Sequence, residues 1–285
     1  MKSLSFKSPA KLNLYLKVVN KRADGFHNLL TLFERINLCD DILLKINPTG
    51  KIRIFCEHPQ VPPSPQNLCF KVAQYLKDKY SLTQGVDIKI IKHIPVAAGL
   101  GGGSSNAATV LLGLNHLWKL NLNQKDLLAC AKTMGSDVPF FLYDCSWGLG
   151  TGRGDEIRKV SIPFKFWHVL VVPKLRMYTK EVYSRLNLEL TKSNGNVNIL
   201  IHHLRKNDIN KIKSLLVNDL ESSILQICPR LFKVKEKLRV LNPWGTGFSG
   251  SGPSVFGITK SGQEAQALKR CLDKRFSQVF VVKTY

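Results

Sequence analysis

A glycine-rich segment is the stretch of this chain best suited to chemistry. Residues 95–109 have the sequence PVAAGLGGGSSNAAT, in which four glycines are followed by two serines. Glycine lacks a Cβ atom, so its backbone N–H group can approach a ligand closely. Apolar residues at helical spacing follow, which predicts a helix that begins near Ser104, with Ser104 and Ser105 as natural N-cap residues. A glycine loop that leads into a helix start favours phosphate binding, because the helix start carries partial positive charge.

Two common nucleotide-binding motifs do not fit this segment. No Lys-Ser or Lys-Thr pair follows the glycines, as a P-loop requires. Gly101 and Gly103 are followed by Asn106 and not by the third glycine of G-x-G-x-x-G. A tight strand-to-helix turn without a ligand is the alternative. Three consecutive glycines and two serines at a helix start favour phosphate over that alternative.

A second group of polar residues lies on a predicted strand near the N-terminus. Residues 8–18 alternate between apolar and polar types, which is typical of a half-buried strand. Lys11 and Asn13 therefore lie on the same face, about 7 Å apart along the strand. A turn is predicted at residues 23–25, and Phe26 and His27 then lead into another strand.

The composition is that of a globular protein with an unusually basic charge. The 285 residues are 44% hydrophobic and 22% charged, and the chain is long enough for two domains with real cores. No apolar run approaches the roughly 20 residues that span a bilayer. The N-terminus lacks the apolar core of a signal peptide, so a cytoplasmic protein without a membrane partner is expected.

The formal net charge of +22 permits attraction to polyanions, including nucleic acid. The basic residues are dispersed along the chain, and no aromatic-rich RNA-binding signature accompanies them. No specific nucleic-acid partner is therefore expected, although a basic nucleic-acid-binding protein remains the alternative from a different functional class. The seven cysteines are scattered without a C-x-x-C pair, which predicts reduced, mostly buried thiols and no zinc site.

The surrounding elements are predicted from periodicity and punctuation. Asn67 and Asn123 are predicted to cap helices, and a short helix start is predicted at residues 136–139. The glycine-rich stretch 148–154 is expected to break all regular structure before a domain boundary near residue 160. The other predicted elements are strands at 29–38, 41–46, 51–56, 86–91, 167–172, 255–258 and 278–283, a polar stretch at 191–196 and a helix at 263–276.

Three segments of the chain resemble the motifs of the GHMP kinases, the superfamily of galactokinase, homoserine kinase, mevalonate kinase and phosphomevalonate kinase. The first is PAKLNLYL at 9–16 with RADGFH at 22–27, the second is the glycine-rich segment at 95–109, and the third is TGFSGSG at 246–252. The resemblance implies a two-domain α+β fold. It consists of an N-terminal domain similar to one found in ribosomal proteins, over residues 1–160, and a C-terminal ferredoxin-like domain over residues 161–285.

The chain is most similar to the branch of this superfamily that acts on a cytidine-diphosphate-linked methylerythritol. The implied reaction moves the γ-phosphate of ATP to the 2-hydroxyl of 4-diphosphocytidyl-2-C-methyl-D-erythritol, in non-mevalonate isoprenoid biosynthesis. Another GHMP small-molecule kinase, of the mevalonate or sugar type, is the alternative. ATP with Mg²⁺ as its counter-ion is the implied co-substrate, with no tightly bound cofactor and no metal ligand from the protein. A monomer or weak homodimer is expected.

Matching positions imply the roles of individual residues. Lys11 and Asp137 form the implied catalytic pair, with Asp137 as the general base. The alternatives are a solvated strand-face lysine and a helix N-cap aspartate. Phe26 and His27 are implied to recognise cytosine, with Tyr183 on the other side of the base. The further implied contacts are Asn13, Thr179 and Gly250 for the substrate, and Pro95, Val96, Ala97, Ala98, Gly99, Leu100, Gly101, Gly102, Gly103, Ser104, Ser105, Asn67 and Lys92 for ATP.

Overall fold

Two long strands, β1 (Ser3–Lys21) and β2 (His27–Asn47), open the fold and are joined by the predicted turn at residues 23–25. The computed structural model describes residues 3–188, 195–241, 244–273 and 278–285. The prediction of a half-buried first strand is wrong, because both faces of β1 are buried from Ser8 to Leu16. The strands predicted at 29–38 and 41–46 are parts of the single strand β2.

The other elements are shorter and largely match the prediction. The strands are β3 (Ile52–Phe55), β4 (Gly85–Ile91), β5 (Trp147–Thr151), β6 (Glu156–Lys159), β7 (Trp167–Val171), β8 (Val217–Asn218), β9 (Thr246–Phe248), β10 (Val255–Thr259) and β11 (Val279–Lys283). The helices are α1 (Leu68–Lys79), α2 (Gly102–Leu117), α3 (Gln124–Met134), α4 (Val138–Phe141), α5 (Thr179–Ser184), α6 (Val197–Arg205), α7 (Ile209–Ile212), α8 (Glu221–Ile227), α9 (Arg230–Leu241) and α10 (Gly262–Asp273), with a 3₁₀ turn at Lys213–Leu215. The predicted end of the last helix, and most of the polar stretch at 191–196, lie outside the described residues.

The two predicted asparagine caps are confirmed. Asn67 Oδ1 accepts a hydrogen bond from the Cys69 backbone N–H at 2.9 Å at the start of α1. Asn123 Oδ1 accepts one from the Asp126 N–H at 3.0 Å at the start of α3. Each cap satisfies a backbone donor that the first turn of a helix leaves without a partner.

The chain divides into two compact units, and each unit is assembled from separate stretches of sequence. The first unit consists of Met1–Ala10, Leu38–Val96 and Gly101–Asp144. The second unit consists of Lys11–Asn37, Ala97–Leu100 and Cys145–Tyr285. The strands β1 and β2 therefore contribute residues to both units.

The first unit is a sheet with helices packed beside it. Within its sheet β4 lies between β3 and β2, and it pairs antiparallel with β2, where Leu44 lies opposite Ile88. Helix α2 contacts α1, α3 and α4, which buries almost its whole circumference. The predicted apolar row on α2 is buried with one exception, because Leu112 is 38% exposed.

The second unit contains an antiparallel four-stranded sheet in the order β11-β7-β10-β9. Val171 of β7 lies opposite Val255 of β10 and Val279 of β11, and these three valines form a row in the core. The same core contains Leu16 of β1 and Leu238 of α9. The parallel pairing of β1 with β8, through Tyr15 and Val217, is also part of this unit.

The prediction that residues 148–154 break all regular structure is wrong. The strand β5 covers most of them and pairs antiparallel with β2 and β6. A Cβ atom on Gly150 would lie 2.8 Å from the ring of Phe33 and 3.1 Å from the Thr31 side chain. A glycine in a strand can allow a neighbouring group to pack closely against the backbone. Here the missing Cβ atom of Gly150 leaves room for the ring of Phe33.

The cysteines are thiols, but most of them are not buried. Cys69 and Cys130 are buried, Cys271 is exposed, and the other four are partly exposed, so the predicted burial is wrong for the majority. Burial raises the pKa of the Cys69 thiol to about 12. Among the described helices, none combines the length and the apolar character that a membrane crossing requires.

Candidate active site

The glycine-rich segment passes through left-handed backbone conformations before α2 begins. Ala97, Gly99 and Gly101 have φ values of 55°, 78° and 68°. Gly101 is the N-cap residue, so α2 begins at Gly102, close to the predicted position. The prediction that Ser104 and Ser105 are N-cap residues is wrong, because both lie inside the first turns of the helix. Ser105 is fully buried.

The part of this segment that belongs to the second unit packs against the glycine-rich loop between β9 and β10. Ser249 Oγ donates to the Gly99 carbonyl at 3.0 Å, and Ser254 Oγ donates to the Ala98 carbonyl at 2.6 Å. A Cβ atom on Gly252 would lie 2.1 Å from the Ala98 carbonyl carbon. The second and third sequence motifs are thus in direct backbone contact here, and glycine at position 252 makes that contact possible.

Lys11 is buried beside Asn13 in the second unit. Lys11 is only 4% exposed, so the alternative of a solvated strand-face lysine is wrong. Lys11 Nζ donates to Asn13 Oδ1 at 2.5 Å and lies 5.6 Å from the centre of the Phe33 ring. Asn13 Nδ2 donates to Thr31 Oγ1 at 2.8 Å, and Thr31 Oγ1 donates onward to the Tyr15 carbonyl at 2.7 Å. This chain of donors fixes the amide of Asn13 with its oxygen toward Lys11.

Gly250 closes the space beside this pair. Its φ is 57°, and a Cβ atom there would lie 3.0 Å from Asn13 Oδ1 and 3.2 Å from Lys11 Nζ. Asn218 Nδ2 donates to the Gly250 carbonyl at 2.8 Å and to the Phe248 carbonyl at 3.0 Å, which fixes the loop. Thr31 and Asn218 were not identified from the sequence, because each acts through a contact that is distant in the sequence, and Ser249 was identified only as part of the third motif.

Asp137 belongs to the first unit and directly precedes α4. It stands at the N-cap position, but its φ and ψ of −82° and −16° are helical and its side chain makes no capping hydrogen bond. N-cap residues normally have extended backbone angles and accept a bond from the first turn. The capping alternative for this carboxylate is therefore wrong. Its role as a general base stays a prediction.

Lys92 and Asn67, both predicted near ATP, lie in the first unit. The Lys92 ammonium is buried and forms an ion pair with Asp40, which is fully buried. Asn67 uses its oxygen for the α1 cap and its Nδ2 for the Pro62 carbonyl at 3.0 Å, so its side chain has a structural role. A cleft of about 900 Å³ is lined by Lys92 and by residues 54–59, 63 and 89–91.

Sequence reasoning also did not identify Asp40, although the strand pattern contains a signal. Asp40 has the same strand parity as Ile42 and Leu44, both of which are fully buried. Successive residues of a strand face opposite sides, so the alternation places this carboxylate on the apolar face. An acidic group in such a position is rare unless it is paired.

The predicted base-recognition residues Phe26, His27 and Tyr183, called the aromatic cluster below, lie in the second unit, where His27 and Tyr183 are in ring contact. The His27 and Tyr183 rings are stacked, with centroids 5.1 Å apart and an interplanar angle of 30°. Phe26 is 49% exposed, and its ring lies 5.1 Å from the guanidinium carbon of Arg153. Burial, with a smaller contribution from the Lys21 charge, lowers the pKa of His27 below its ordinary value. Thr179, at the start of α5, shares a hydrogen bond of 2.9 Å with Ser251.

Arg153 and Asp24 hold Phe26 in place. The sequence placed Asp24 in the first motif and Arg153 in the stretch 148–154 but gave neither a role. Asp155 accepts two hydrogen bonds from the Arg153 guanidinium, the shorter at 2.8 Å, and another from its backbone N–H. Asp24 accepts a bond from the Phe26 backbone N–H at 3.1 Å and pairs with Arg22 at 2.9 Å. The Arg22 bond lowers the pKa of Asp24. One face of the Phe26 ring is thus covered by a fixed cation.

The arrangement combines a buried ammonium, a contacting pair of glycine-rich loops and an aromatic cluster. A fixed ammonium such as that of Lys11 can neutralise the charge of a transferring phosphoryl group. Aromatic faces can bind a nucleobase by stacking. Within the described residues, no group of three or more His, Cys, Asp and Glu side chains is arranged to hold a metal ion.

Comparison with known proteins finds GHMP kinase sequences that match this chain over its whole length. Residues 67–145 match the family described as GHMP kinases N terminal domain, and residues 200–278 match the one described as GHMP kinases C terminal. A 4-diphosphocytidyl-2-C-methyl-D-erythritol kinase of Alkaliphilus oremlandii is 37% identical, with 100% of this chain and 98% of the relative covered. The kinase of the same name from Geobacter metallireducens is 39% identical, with 99% and 98% covered.

Solved structures agree with these sequence relatives. The crystal structure of a 4-(cytidine 5'-diphospho)-2C-methyl-D-erythritol kinase superposes with a TM-score of 0.83 at 30% identity, and 98% of each chain is covered. A homoserine kinase from Cytophaga hutchinsonii superposes with a TM-score of 0.76 at 21% identity, which shows a shared fold, with 100% of this chain and 95% of that one covered. The predicted α+β GHMP kinase fold is confirmed. The chain belongs to the 4-diphosphocytidyl-2-C-methyl-D-erythritol kinase family of the GHMP kinases, which are ATP-dependent enzymes.

Proposed function

We propose that this enzyme transfers the γ-phosphate of ATP to the 2-hydroxyl of 4-diphosphocytidyl-2-C-methyl-D-erythritol, within the non-mevalonate route to isoprenoid precursors. The observation that carries this choice of acceptor is the stack of His27 on Tyr183, in the same unit as the buried Lys11. A mevalonate or sugar acceptor has no base that would require an aromatic cluster. The names of the full-length relatives support the same acceptor.

The phosphates of ATP bind at the glycine-rich segment. The backbone N–H groups of Gly102 and Gly103 lie in the first turn of α2, where they have no partner within the helix. A helix start of this kind attracts an anion through these donors and through the helix dipole. Residues 95–104 then supply the phosphate contacts, whereas Ser105 is fully buried and supports the segment through its bond to Ser8. The cleft lined by Lys92 receives the nucleoside. ATP enters as its Mg²⁺ complex, so the ion is part of the substrate.

The chemical step requires a base for the acceptor hydroxyl and a cation for the transferring group. Asp137 takes the hydroxyl proton, because a carboxylate positioned beside an acceptor hydroxyl can act as its general base. Lys11 offsets the charge of the transferring phosphoryl group, and Asn13 and Gly250 fix its position. Phosphoryl transfer needs little covalent help, so positioning and charge provide most of the rate.

Cytosine is recognised by the aromatic cluster. The base stacks with Tyr183 and Phe26, and the His27 imidazole hydrogen-bonds its edge. Arg153 covers one face of the Phe26 ring, so the other face is available for stacking. Stacking of a base on an aromatic side chain contributes about 1–3 kcal/mol. Thr179 contacts the same substrate from the start of α5.

The experiment that tests this function is a coupled ADP-release assay. The purified protein receives ATP and Mg²⁺ with 4-diphosphocytidyl-2-C-methyl-D-erythritol, mevalonate or homoserine. We expect ADP release with the cytidine substrate and only background release with the other two. Release with mevalonate or homoserine, and none with the cytidine substrate, would overturn the proposed acceptor.

We also propose how the protein occurs in the cell. It is cytoplasmic, works as a monomer or weak homodimer, and holds no tightly bound cofactor.

The protein binds no specific nucleic acid, despite its net charge of +22. Filter binding to RNA and duplex DNA should show only weak, sequence-blind association that falls steeply with salt. Tight sequence-selective binding at physiological salt would contradict this.

A further inference from the structure

A fully buried carboxylate, Asp40, lies at the base of the glycine-rich segment in the first unit. Asp40 Oδ1 accepts hydrogen bonds from the backbone N–H groups of His93 at 2.7 Å and Ile94 at 2.8 Å. Its Oδ2 accepts one from Asn106 Nδ2 at 2.9 Å and pairs with the Lys92 ammonium. Four donors therefore converge on this carboxylate.

These donors lie on the two sides of the glycine-rich segment. Lys92, His93 and Ile94 directly precede the segment, whereas Asn106 lies on α2, which follows it. Asn106 Nδ2 also donates to Ser8 Oγ at 2.9 Å, and Ser8 Oγ shares a hydrogen bond of 2.8 Å with Ser105 Oγ. A single side chain from β2 thus connects the chain that enters the loop to the helix that leaves it.

The same carboxylate fixes the Lys92 ammonium next to the start of α2. A Cβ atom on Gly102 would lie 3.2 Å from Lys92 Nζ, and Lys92 also lines the 900 Å³ cleft. The Lys92 side chain is 5% exposed and that of Asp40 is 0% exposed. A buried charge that loses its partner is strongly destabilised, so the position of Lys92 depends on Asp40.

We propose that Asp40 is the positioning residue of the ATP site: it fixes the glycine-rich segment at both ends and directs Lys92 to the start of α2. This inference rests on the proposed function, in which that segment binds the ATP phosphates. Asp40 is fully buried, so it acts on ATP through Lys92 and the segment and not by direct contact. Its loss should therefore weaken ATP binding and leave recognition of the cytidine substrate unchanged.

The test is the variant Asp40→Asn. Asparagine keeps one oxygen for His93 and Ile94, but its NH₂ group then faces two donors, Lys92 Nζ and Asn106 Nδ2. We expect the KM for ATP to rise about 10- to 100-fold, the effect of losing a hydrogen bond to a charged group. The KM for the cytidine substrate should stay within about twofold of wild type, because a positioning effect on one pocket does not alter the other. Calorimetric titration with ATP measures the same loss without turnover.

The control is Asp41→Asn, the same change at the next residue. Asp41 forms partly exposed pairs with Lys7 at 2.6 Å and His93 at 3.2 Å, so its loss should leave both KM values unchanged. The double variant Asp40→Asn with Asn106→Asp exchanges the two groups and keeps the net charge. The amide at position 40 can then donate to the carboxylate at position 106, which also accepts from Ser8 and Lys92. ATP affinity should return to within about threefold of wild type.

The outcomes separate this inference from the proposed function. If wild type lacks activity on the cytidine substrate, the proposed function fails. If wild type is active and Asp40→Asn keeps the wild-type KM for ATP, the positioning role of Asp40 is overturned. An exchanged double variant that folds but binds ATP as poorly as Asp40→Asn also overturns it. If Asp40→Asn does not fold, Asn106→Ala removes one donor to the same carboxylate and must show the same selective rise in the KM for ATP.

Discussion

The substitution Gly250→Ala adds one methyl group beside the buried Lys11–Asn13 pair. Gly250 has a φ of 57°, and alanine in this left-handed region costs roughly 1–2 kcal/mol. The new Cβ atom would lie 3.0 Å from Asn13 Oδ1 and 3.2 Å from Lys11 Nζ, so both groups must move by a few tenths of an ångström. Neither can move into solvent, because Lys11 is 4% and Asn13 3% exposed.

We therefore expect the free energy of unfolding to fall by about 1–2 kcal/mol and kcat to fall roughly tenfold. The kinetic estimate follows from the observation that a 1 Å misplacement costs about 10²-fold in rate. Denaturant unfolding gives the first quantity, and steady-state ADP release with both substrates saturating gives the second.

Gly50→Ala is the matched control for this substitution. Gly50 has a φ of 71°, and its Cβ atom would lie 3.0 Å from the Thr83 carbonyl oxygen, in a turn without a proposed function. It should lose similar stability and keep the wild-type kcat. If Gly250→Ala also keeps the wild-type kcat, the position of the Lys11 ammonium does not limit phosphoryl transfer, and the role proposed for the pair is refuted.

Three further predictions address the base and the cytosine site. Asp137→Asn should lower kcat by about 10²- to 10⁴-fold with little change in Tm, because general-base catalysis is lost and no capping bond is removed. A lower Tm with full specific activity would contradict this. Tyr183→Ala should raise the KM for the cytidine substrate about tenfold or more and leave that for ATP unchanged, as loss of one stacked ring predicts. A weaker affinity for ATP instead would reverse the assignment of the two pockets. Because burial and Lys21 lower the pKa of His27 below 6.5, its imidazole is neutral at neutral pH, and the KM for the cytidine substrate should rise only in more acidic buffer. Lys21→Met should move that rise to higher pH, and an NMR titration that places the His27 pKa above 6.5 would contradict the assignment.

Local features of the fold could be predicted from the sequence, because their causes lie within a few residues. The Asn67 and Asn123 caps, the turn at residues 23–25 and the start of α2 depend on adjacent backbone groups. Strand alternation also correctly placed Lys11 and Asn13 on one face. The family motifs identified the fold and the type of enzyme, and the comparisons confirm both.

Features that depend on distant residues could not be predicted in the same way. The burial of Lys11 depends on the loop at Gly250, and β5 depends on the close approach of Gly150 to Phe33. The glycine-rich sequence of β5 is typical of a loop, and the segment forms a strand only because it pairs with β2 and β6. The ion pair between Asp40 and Lys92 was missed for the same reason, since nothing near Asp40 in the sequence indicates its partner.

The parallel pairing of β1 with β8 has a consequence for synthesis on the ribosome. Tyr15 lies opposite Val217, so this ladder cannot form until some two hundred further residues have left the exit tunnel. At about 5–20 residues per second, the edge of β1 that pairs with β8 stays open for about 10–40 s, although its other edge can already pair with β2. During that time the apolar side chains of Leu16 and Val18 lack the core that later buries them. Nascent chains stalled before residue 217 should therefore be protease-sensitive around β1 and recruit chaperones that bind exposed apolar strands.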